Sequence, residues 1–264
     1  MKIGFIGSGK MATALMKSVL KAGLAKGKDI MSSDKSEEQL RRVKGELGVN
    51  TANSNKDVVR FSDVVLLCVK PQDIDMVLDE IRGEVKNKLV ISIAAGVTIK
   101  RLESKIKGKV IRVMPNTPCL VGEMAAGYAP GKNVSEKDLE IVKKILNTGG
   151  IAIQVNEKDL DAITGLSGSG PAFVAYLIDA FTEAGIKQGL ERDVAYKLAV
   201  QTFLGTAKLL KETGISPKEL IDMVSSPNGT TIAGRGILEN SDVNKIMEKT
   251  VSAATKRSRE LGNG

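Results

Sequence analysis

Gly7, Gly9 and Ala12 stand at the spacing G-x-G-x-x-A. They lie between an apolar run, Ile3, Phe5 and Ile6, and a stretch from Lys10 in which Met11, Leu15 and Val19 share one helical face. At a strand-to-helix junction this spacing has a physical use. The first glycine permits a tight turn, the second lets backbone approach a pyrophosphate, and the alanine lets helix pack closely on strand. The free amides and positive end of the helix dipole then face phosphate oxygens. An ordinary glycine-rich turn is the plain alternative. The position between strand and helix, opening the chain, favours dinucleotide binding through Gly7, Ser8, Gly9, Lys10 and Met11.

Three further groups could do chemistry. Ser33, Asp34 and Lys35 end the next short strand, where a dinucleotide fold meets the adenosine ribose. An acid there suits a free 2′-hydroxyl, whereas hydroxyls and a cation suit a 2′-phosphate. Asp34 therefore points to NADH, and Ser33 and Lys35 to NADPH. Val69, Lys70 and Pro71 end the most continuous apolar strand, Val64 to Val69. Ligands of open α/β sheets gather at such carboxyl ends; a solvated lysine before a helix-starting proline is the alternative. Ser226 to Thr231 reads SPNGTT, a turn ahead of a helix from Ile232 to Leu238. Taken locally, Thr230 and Thr231 are a helix-capping pair.

What is missing narrows the chemistry. The chain has no histidine, which excludes a histidine acid or base, a Ser-His-Asp triad and histidine-ligated zinc. No metal is expected. The two cysteines, Cys68 and Cys119, do not make a disulfide framework, and a reducing, cytoplasmic setting fits. No apolar stretch reaches the ~18 residues of a membrane span. The net charge of +8 raises nucleic acid as a partner. Its lysines and arginines are interleaved with acids, however, and aromatics are only 3%, so anionic small molecules are the better expectation.

The elements that must position these residues follow from periodicity. Short strands are expected at 29–33, 64–69, 89–95, 110–114, 125–129 and 151–155, with helices between them. This alternation predicts an α/β, Rossmann-type doubly wound parallel sheet in a dinucleotide domain over residues 1–158. From Asp159 no strand is visible, and residues 159–264 are expected to form an all-helical domain. The run Gly165 to Pro171 predicts a kinked helix. Small apolar residues along these helices fit pairing with a second subunit.

Four segments then carry a resemblance: CVKPQ from Cys68, MPNTP from Met114, SGSGPAF from Ser167 and SSPNGTTIAGRGILE from Ser225. In this order and at these distances the chain resembles the pyrroline-5-carboxylate reductase family over essentially its whole length. Asn228 departs from a usual glycine, and Arg235-Gly236 from a bulkier pair. The resemblance implies reduction of 1-pyrroline-5-carboxylate to L-proline with NADPH or NADH, in a homodimer whose helical domains pair around the substrate. It implies that Thr231 hydrogen-bonds the ring nitrogen and that amides of Gly229 and Thr230 hold the carboxylate. Ser33 and Asn55 would meet the adenosine 2′-phosphate, and Lys70 and Pro71 would run along the dinucleotide. A β-hydroxyacid dehydrogenase, with Lys187 as its lysine, and a non-catalytic nucleotide-sensing or nucleic-acid-binding protein are the rival classes.

Overall fold

The computed structural model describes residues 1–262. The last two positions of the expected 159–264 domain lie outside the described residues. The chain divides into two compact units. One is Met1–Ser169 together with the stretch from Ser252, and the other is Gly170–Val251.

The first unit holds strands β1 (Ile3–Ile6), β2 (Ile30–Ser33), β3 (Asn50–Thr51), β4 (Val64–Leu67), β5 (Leu89–Ser92), β6 (Lys109–Met114), β7 (Met124–Pro130) and β8 (Gly150–Gln154). Between them run α1 (Lys10–Lys21), α2 (Glu37–Leu47), α3 (Asn55–Phe61), α4 (Ile74–Ile81), α5 (Ile99–Lys105) and α6 (Glu136–Asn147). The order across the sheet is β3-β2-β1-β4-β5-β6-β7-β8. β1 sits between β2 and β4, so the chain reverses its direction of travel there and leaves a crevice at the carboxyl ends.

Alternation along the strands builds two cores. Ile3, Phe5, Val64 and Leu66 pack with α1, α2 and α6 through Leu15, Val43 and Val142. Ile6, Val65 and Leu67 pack with α3, α4 and α5 through Val58, Ile74 and Leu102. Both faces of the central strands are covered, which explains their unbroken apolar sequence.

One expectation is corrected. β7 runs antiparallel to β6, pairing Arg112 with Ala129 and Met114 with Gly127. The connection, residues 115–123, is too short for a helical crossover. Parallel pairing needs a dozen or more residues, so the chain folds straight back. The other strand pairs are parallel. β3 was not foreseen, because its two residues, Asn50 and Thr51, carry no periodic signal.

α6 opens on a capping box between Ser135 and Asp138, and Lys109 on β6 reaches Asp138 at 2.9 Å. Burial disfavours the Asp138 carboxylate, but the Ser135 hydroxyl, Lys109 and the Ser135 amide outweigh it and hold the pKa below the ordinary value. A depressed pKa contributes stability that is present above the unfolded value of about 4 and is lost as pH falls through the folded one. Asp138→Ala is therefore expected to cost about 1–2 kcal/mol at neutral pH and less at pH 3, as checked by urea denaturation at the two pH values.

After β8 the chain forms α7 (Leu160–Ile163), a π-helical turn (Thr164–Gly168) and α8 (Gly170–Lys187). The expected kink is this turn, closed by Ser169 N–H donating to the Thr164 carbonyl at 2.8 Å. A Cβ at Gly168 would lie 2.5 Å from Met114 Cε, so a side chain there would have to displace the end of Met114.

The second unit is helical. α8 is followed by α9 (Arg192–Thr213), α10 (Pro217–Met223), α11 (Thr230–Glu239) and α12 (Val243–Gly262), which ends in the first unit. Gly185 brings α8 against α9 at Ala195, and Phe181 meets Phe203 edge-on at 5.2 Å. Few residues of this unit are buried. Tyr176, Phe181, Leu198, Leu204 and Ile237 are all exposed in the single chain.

Candidate functional site

The loop between β1 and α1 has the expected geometry. Gly7 adopts φ +99°, and a Cβ on it would lie 2.6 Å from the Cys68 carbonyl oxygen. No other residue type fits both constraints. Gly9 is different. Its backbone is extended, and a Cβ there would meet nothing within 4 Å. Gly9 therefore faces open space. It is the N-cap of α1, no side chain caps that helix, and its first turn holds no acid.

The loop's amides are divided. Gly7 N–H donates to the Ser33 carbonyl at 2.8 Å, and Ser8 N–H donates to Asp34 Oδ2 at 2.6 Å. Thr13 N–H makes the first helical bond, to the Gly9 carbonyl at 2.9 Å. Among the described residues, the amides of Gly9, Lys10 and Met11 are left for an anion. Arg42 braces the loop from α2, with Nη2 3.3 Å from the Ser8 carbonyl and 3.2 Å from Thr13 Oγ1.

A groove of about 380 Å³ opens at this loop. Gly7, Gly9, Lys35, Asn55, Val69 and Lys70 line it, as the sequence led one to expect. Pro71 stands just beyond, at the start of a short 3-10 turn (Pro71–Asp73) that precedes α4. Ser33 does not line the groove. It is buried, and its hydroxyl donates to Asn55 Oδ1 at 2.7 Å. Lys35 reaches Asp73 at 3.2 Å. Asp34 also accepts from Ser36 N–H at 2.9 Å, which fixes its carboxylate against the glycine loop.

Sequence reasoning missed Gln39, Cys68, Asp73, Met76 and Val77 on the groove wall. Asp73, Met76 and Val77 do carry a helical spacing, but the apolar residues around them read as core. Cys68 offers no nucleophile, because burial pushes its thiol pKa up. The groove suits a dinucleotide on structural grounds. Gly9 opens onto space, the amides at the start of α1 lie free, and the buried Gln39 Oε1 has no partner among the described residues.

In the second unit, the turn between α10 and α11 is held by Asn228 at φ 59° and by Gly229. Asparagine tolerates the left-handed region, so its departure from glycine keeps the turn. A Cβ on Gly229 would lie 2.9 Å from the Ser226 carbonyl oxygen. Two expectations change here. Gly229 N–H is not free, since it donates to that carbonyl at 2.9 Å. And α11 begins at Thr230, with Gly229 as N-cap and no side chain capping it. Thr230 and Thr231 are thus the first two helical residues rather than caps, and their own amides stand at the open helix end. Arg235, at the other departure, donates to Glu239 Oε1 at 2.6 Å and to Asp222 Oδ1 at 3.2 Å, bridging α10 and α11. Lys187 ends α8.

Among the described residues no cluster of acidic or cysteine side chains could hold a metal ion, and no helix is long and apolar enough to cross a membrane.

Comparison with known proteins agrees with both halves. Residues 2–96 match the family described as NADP oxidoreductase, coenzyme F420-dependent. Residues 157–261 match that described as pyrroline-5-carboxylate reductase dimerisation. The chain is 46% identical to the pyrroline-5-carboxylate reductase of Methanosarcina acetivorans, over 99% of this chain and 98% of that one. It is 41% identical to that of Arabidopsis thaliana, over 98% and 95%. The solved pyrroline-5-carboxylate reductase of Coxiella burnetii superposes with a TM-score of 0.95 at 34% identity, covering 98% of each chain. The NADP-bound pyrroline carboxylate reductase of Plasmodium falciparum gives 0.88 at 34%, covering 99% and 98%. This chain belongs to the pyrroline-5-carboxylate reductase family.

Proposed function

We propose that this protein is an NAD(P)H-dependent imine reductase that converts 1-pyrroline-5-carboxylate to L-proline, the last step of proline biosynthesis. The observation that carries the reading is the open end of α11. Thr230 and Thr231 are its first two residues, so their uncapped amides and the Thr231 hydroxyl sit together at one helix end, after a turn in which a Cβ on Gly229 would lie 2.9 Å from the Ser226 carbonyl oxygen. A small molecule bearing a carboxylate beside a ring nitrogen needs these two kinds of donor close together.

Bound NAD(P)H supplies a hydride for the imine carbon. Gly7 shapes the loop, and the Gly9, Lys10 and Met11 amides take the pyrophosphate. Asp34, Lys35 and Asn55 surround the adenosine end, with Ser33 buried behind Asn55, and Val69, Lys70 and Pro71 flank the dinucleotide at the end of β4. At α11 the Thr230 and Thr231 amides hold the substrate carboxylate, in place of the expected Gly229 amide. Thr231 Oγ1 hydrogen-bonds the ring nitrogen and fixes the plane of the imine. That nitrogen is protonated in the reactive form, so no strong protein acid is needed. A chain without histidine can therefore do this chemistry.

The working form is a homodimer, at least. The apolar side chains exposed along α8, α9 and α11 in the single chain support this, as does the dimerisation family matched by residues 157–261. Sedimentation is expected to give no monomer at micromolar concentration; a fully active monomer would contradict it. The enzyme is placed in the cytoplasm, where unpaired Cys68 and Cys119 stay reduced.

The reading is tested by following NAD(P)H oxidation with pyrroline-5-carboxylate and, in parallel, NAD(P)+ reduction with a β-hydroxyacid. Turnover is expected only in the first. Turnover only in the second would replace this reading with that of a hydroxyacid dehydrogenase.

A further inference from the structure

Ser8, in the middle of the loop between β1 and α1, is fully buried, and the protein holds each of its polar groups. Its N–H donates to Asp34, and its hydroxyl pairs with Ser32 Oγ at 2.8 Å. Its carbonyl accepts twice, from Arg42 Nη2 at 3.3 Å and from Thr13 Oγ1 at 3.2 Å. Arg42 Nη2 also lies 3.2 Å from Thr13 Oγ1. A guanidinium only donates. Arg42 therefore takes a lone pair of the Thr13 hydroxyl and directs its hydrogen at the Ser8 carbonyl. The peptide between Ser8 and Gly9 is planar and trans. With its C=O drawn toward Arg42 and Thr13, the Gly9 N–H points the opposite way, to the side where Gly9 opens onto the groove.

Packing alone does not account for Arg42. Among the described residues its buried Nε has no hydrogen-bond partner, and no carboxylate pairs with it, whereas its neighbour Arg41 is paired with Glu37. A half-buried charge without a counter-ion is a cost, and an orphaned buried donor adds to it. A dinucleotide pyrophosphate above the loop supplies the missing negative charge. Arg42 stands behind the loop, outside the residues that line the groove, so it acts on the phosphates through Ser8 and Gly9.

We propose that Arg42 is a positioning residue for the cofactor pyrophosphate. With Thr13 it holds the Ser8 carbonyl back and so keeps the Gly9 amide aimed at the phosphates before the cofactor arrives. This rests on the groove being the NAD(P)H site. The pyrophosphate is common to NADH and NADPH, so both cofactors depend on Arg42 equally. The effect is on binding, and the rate at saturating cofactor is left alone.

The test uses full-length protein and two readouts. In steady state, Arg42→Met is expected to raise KM for NADH and for NADPH about tenfold each, with kcat and the KM for pyrroline-5-carboxylate unchanged. By calorimetry without substrate, ADP, which carries a pyrophosphate, is expected to bind the variant about tenfold more weakly than wild type, while adenosine binds both alike. Thr13→Val removes the second donor to the same carbonyl and is expected to weaken ADP roughly three- to fivefold. Thr13→Ser keeps the hydroxyl and is expected to restore wild-type affinity. A folded Arg42→Met protein with unchanged ADP affinity, or with ADP and adenosine weakened in parallel, would overturn the proposal, since the second is what a merely structural Arg42 would give. Should Arg42→Met not fold, the two Thr13 variants decide. Loss in Thr13→Val with rescue in Thr13→Ser supports the proposal, and equal affinities in the two overturn it. Failure to turn over pyrroline-5-carboxylate would remove the proposed reaction and leave the calorimetric comparison intact.

Discussion

Thr231→Ala is expected to lower kcat ten- to a hundred-fold and to leave NAD(P)H affinity within about twofold. A hydrogen bond to a charged partner is worth about 1.5–3 kcal/mol, and each ~1.4 kcal/mol acting in the transition state is a factor of ten in rate. The proposed cofactor site lies in the first unit, at Gly9, the α1 amides and the ends of β2 and β4, so its affinity is expected not to depend on Thr231. The helix survives the change. Thr231 is the second residue of α11, its hydroxyl caps nothing, and the turn is fixed by Asn228 and Gly229. Alanine is also the better helix former there. The melting temperature is expected to stay within a few degrees, and Thr231→Ser to keep much of the rate. Undiminished kcat in a folded Thr231→Ala protein would remove the residue from the mechanism.

The two loop glycines are expected to fail in opposite ways. Gly9→Ala should fold as wild type does, because its backbone suits any residue and its Cβ meets nothing within 4 Å. That Cβ would occupy the space into which a pyrophosphate must come. Cofactor binding is expected to weaken tenfold or more, about 1.4 kcal/mol, with the melting temperature unchanged. Gly7→Ala should lose stability first. Its φ of +99° is strained for alanine, and its Cβ would press on the Cys68 carbonyl at 2.6 Å. Positive φ alone costs about 1–3 kcal/mol, and the clash adds to it. Calorimetric titration and thermal melts on both variants separate the effects. Wild-type affinity in Gly9→Ala would mean that the dinucleotide does not pass over this loop.

How much of this was legible in the sequence depended on how local each determinant was. The glycine spacing and the apolar run from Val64 are local, and each appears where it was read. The antiparallel return of β7 depends on which strand it pairs with, a choice that composition does not record. The short connection after Met114 was its one visible sign. At the site, residue identities were legible and their hydrogen-bond assignments were not. Ser33 and Lys35 argued for a phosphate by type, but Asn55 engages the first and Asp73 the second. Asn55 is in turn held by Glu80 of α4, 25 residues away, whose Oε2 accepts from its Nδ2 at 2.6 Å, a contact made only once α3 packs beside α4. Likewise, Gly229 was read correctly as a turn residue, but only the fold reveals that its amide closes the turn and that the free amides begin at Thr230.

Reduction of pyrroline-5-carboxylate requires hydride delivery to its imine carbon. The most direct measurement is a reaction with reduced cofactor carrying deuterium at C4 of the nicotinamide, followed by NMR of the product. Proline is expected to carry one deuterium at Cδ, the former imine carbon, for each cofactor oxidised on the labelled face. Cofactor oxidation without deuterium in proline, or no proline from the purified dimer, would contradict it.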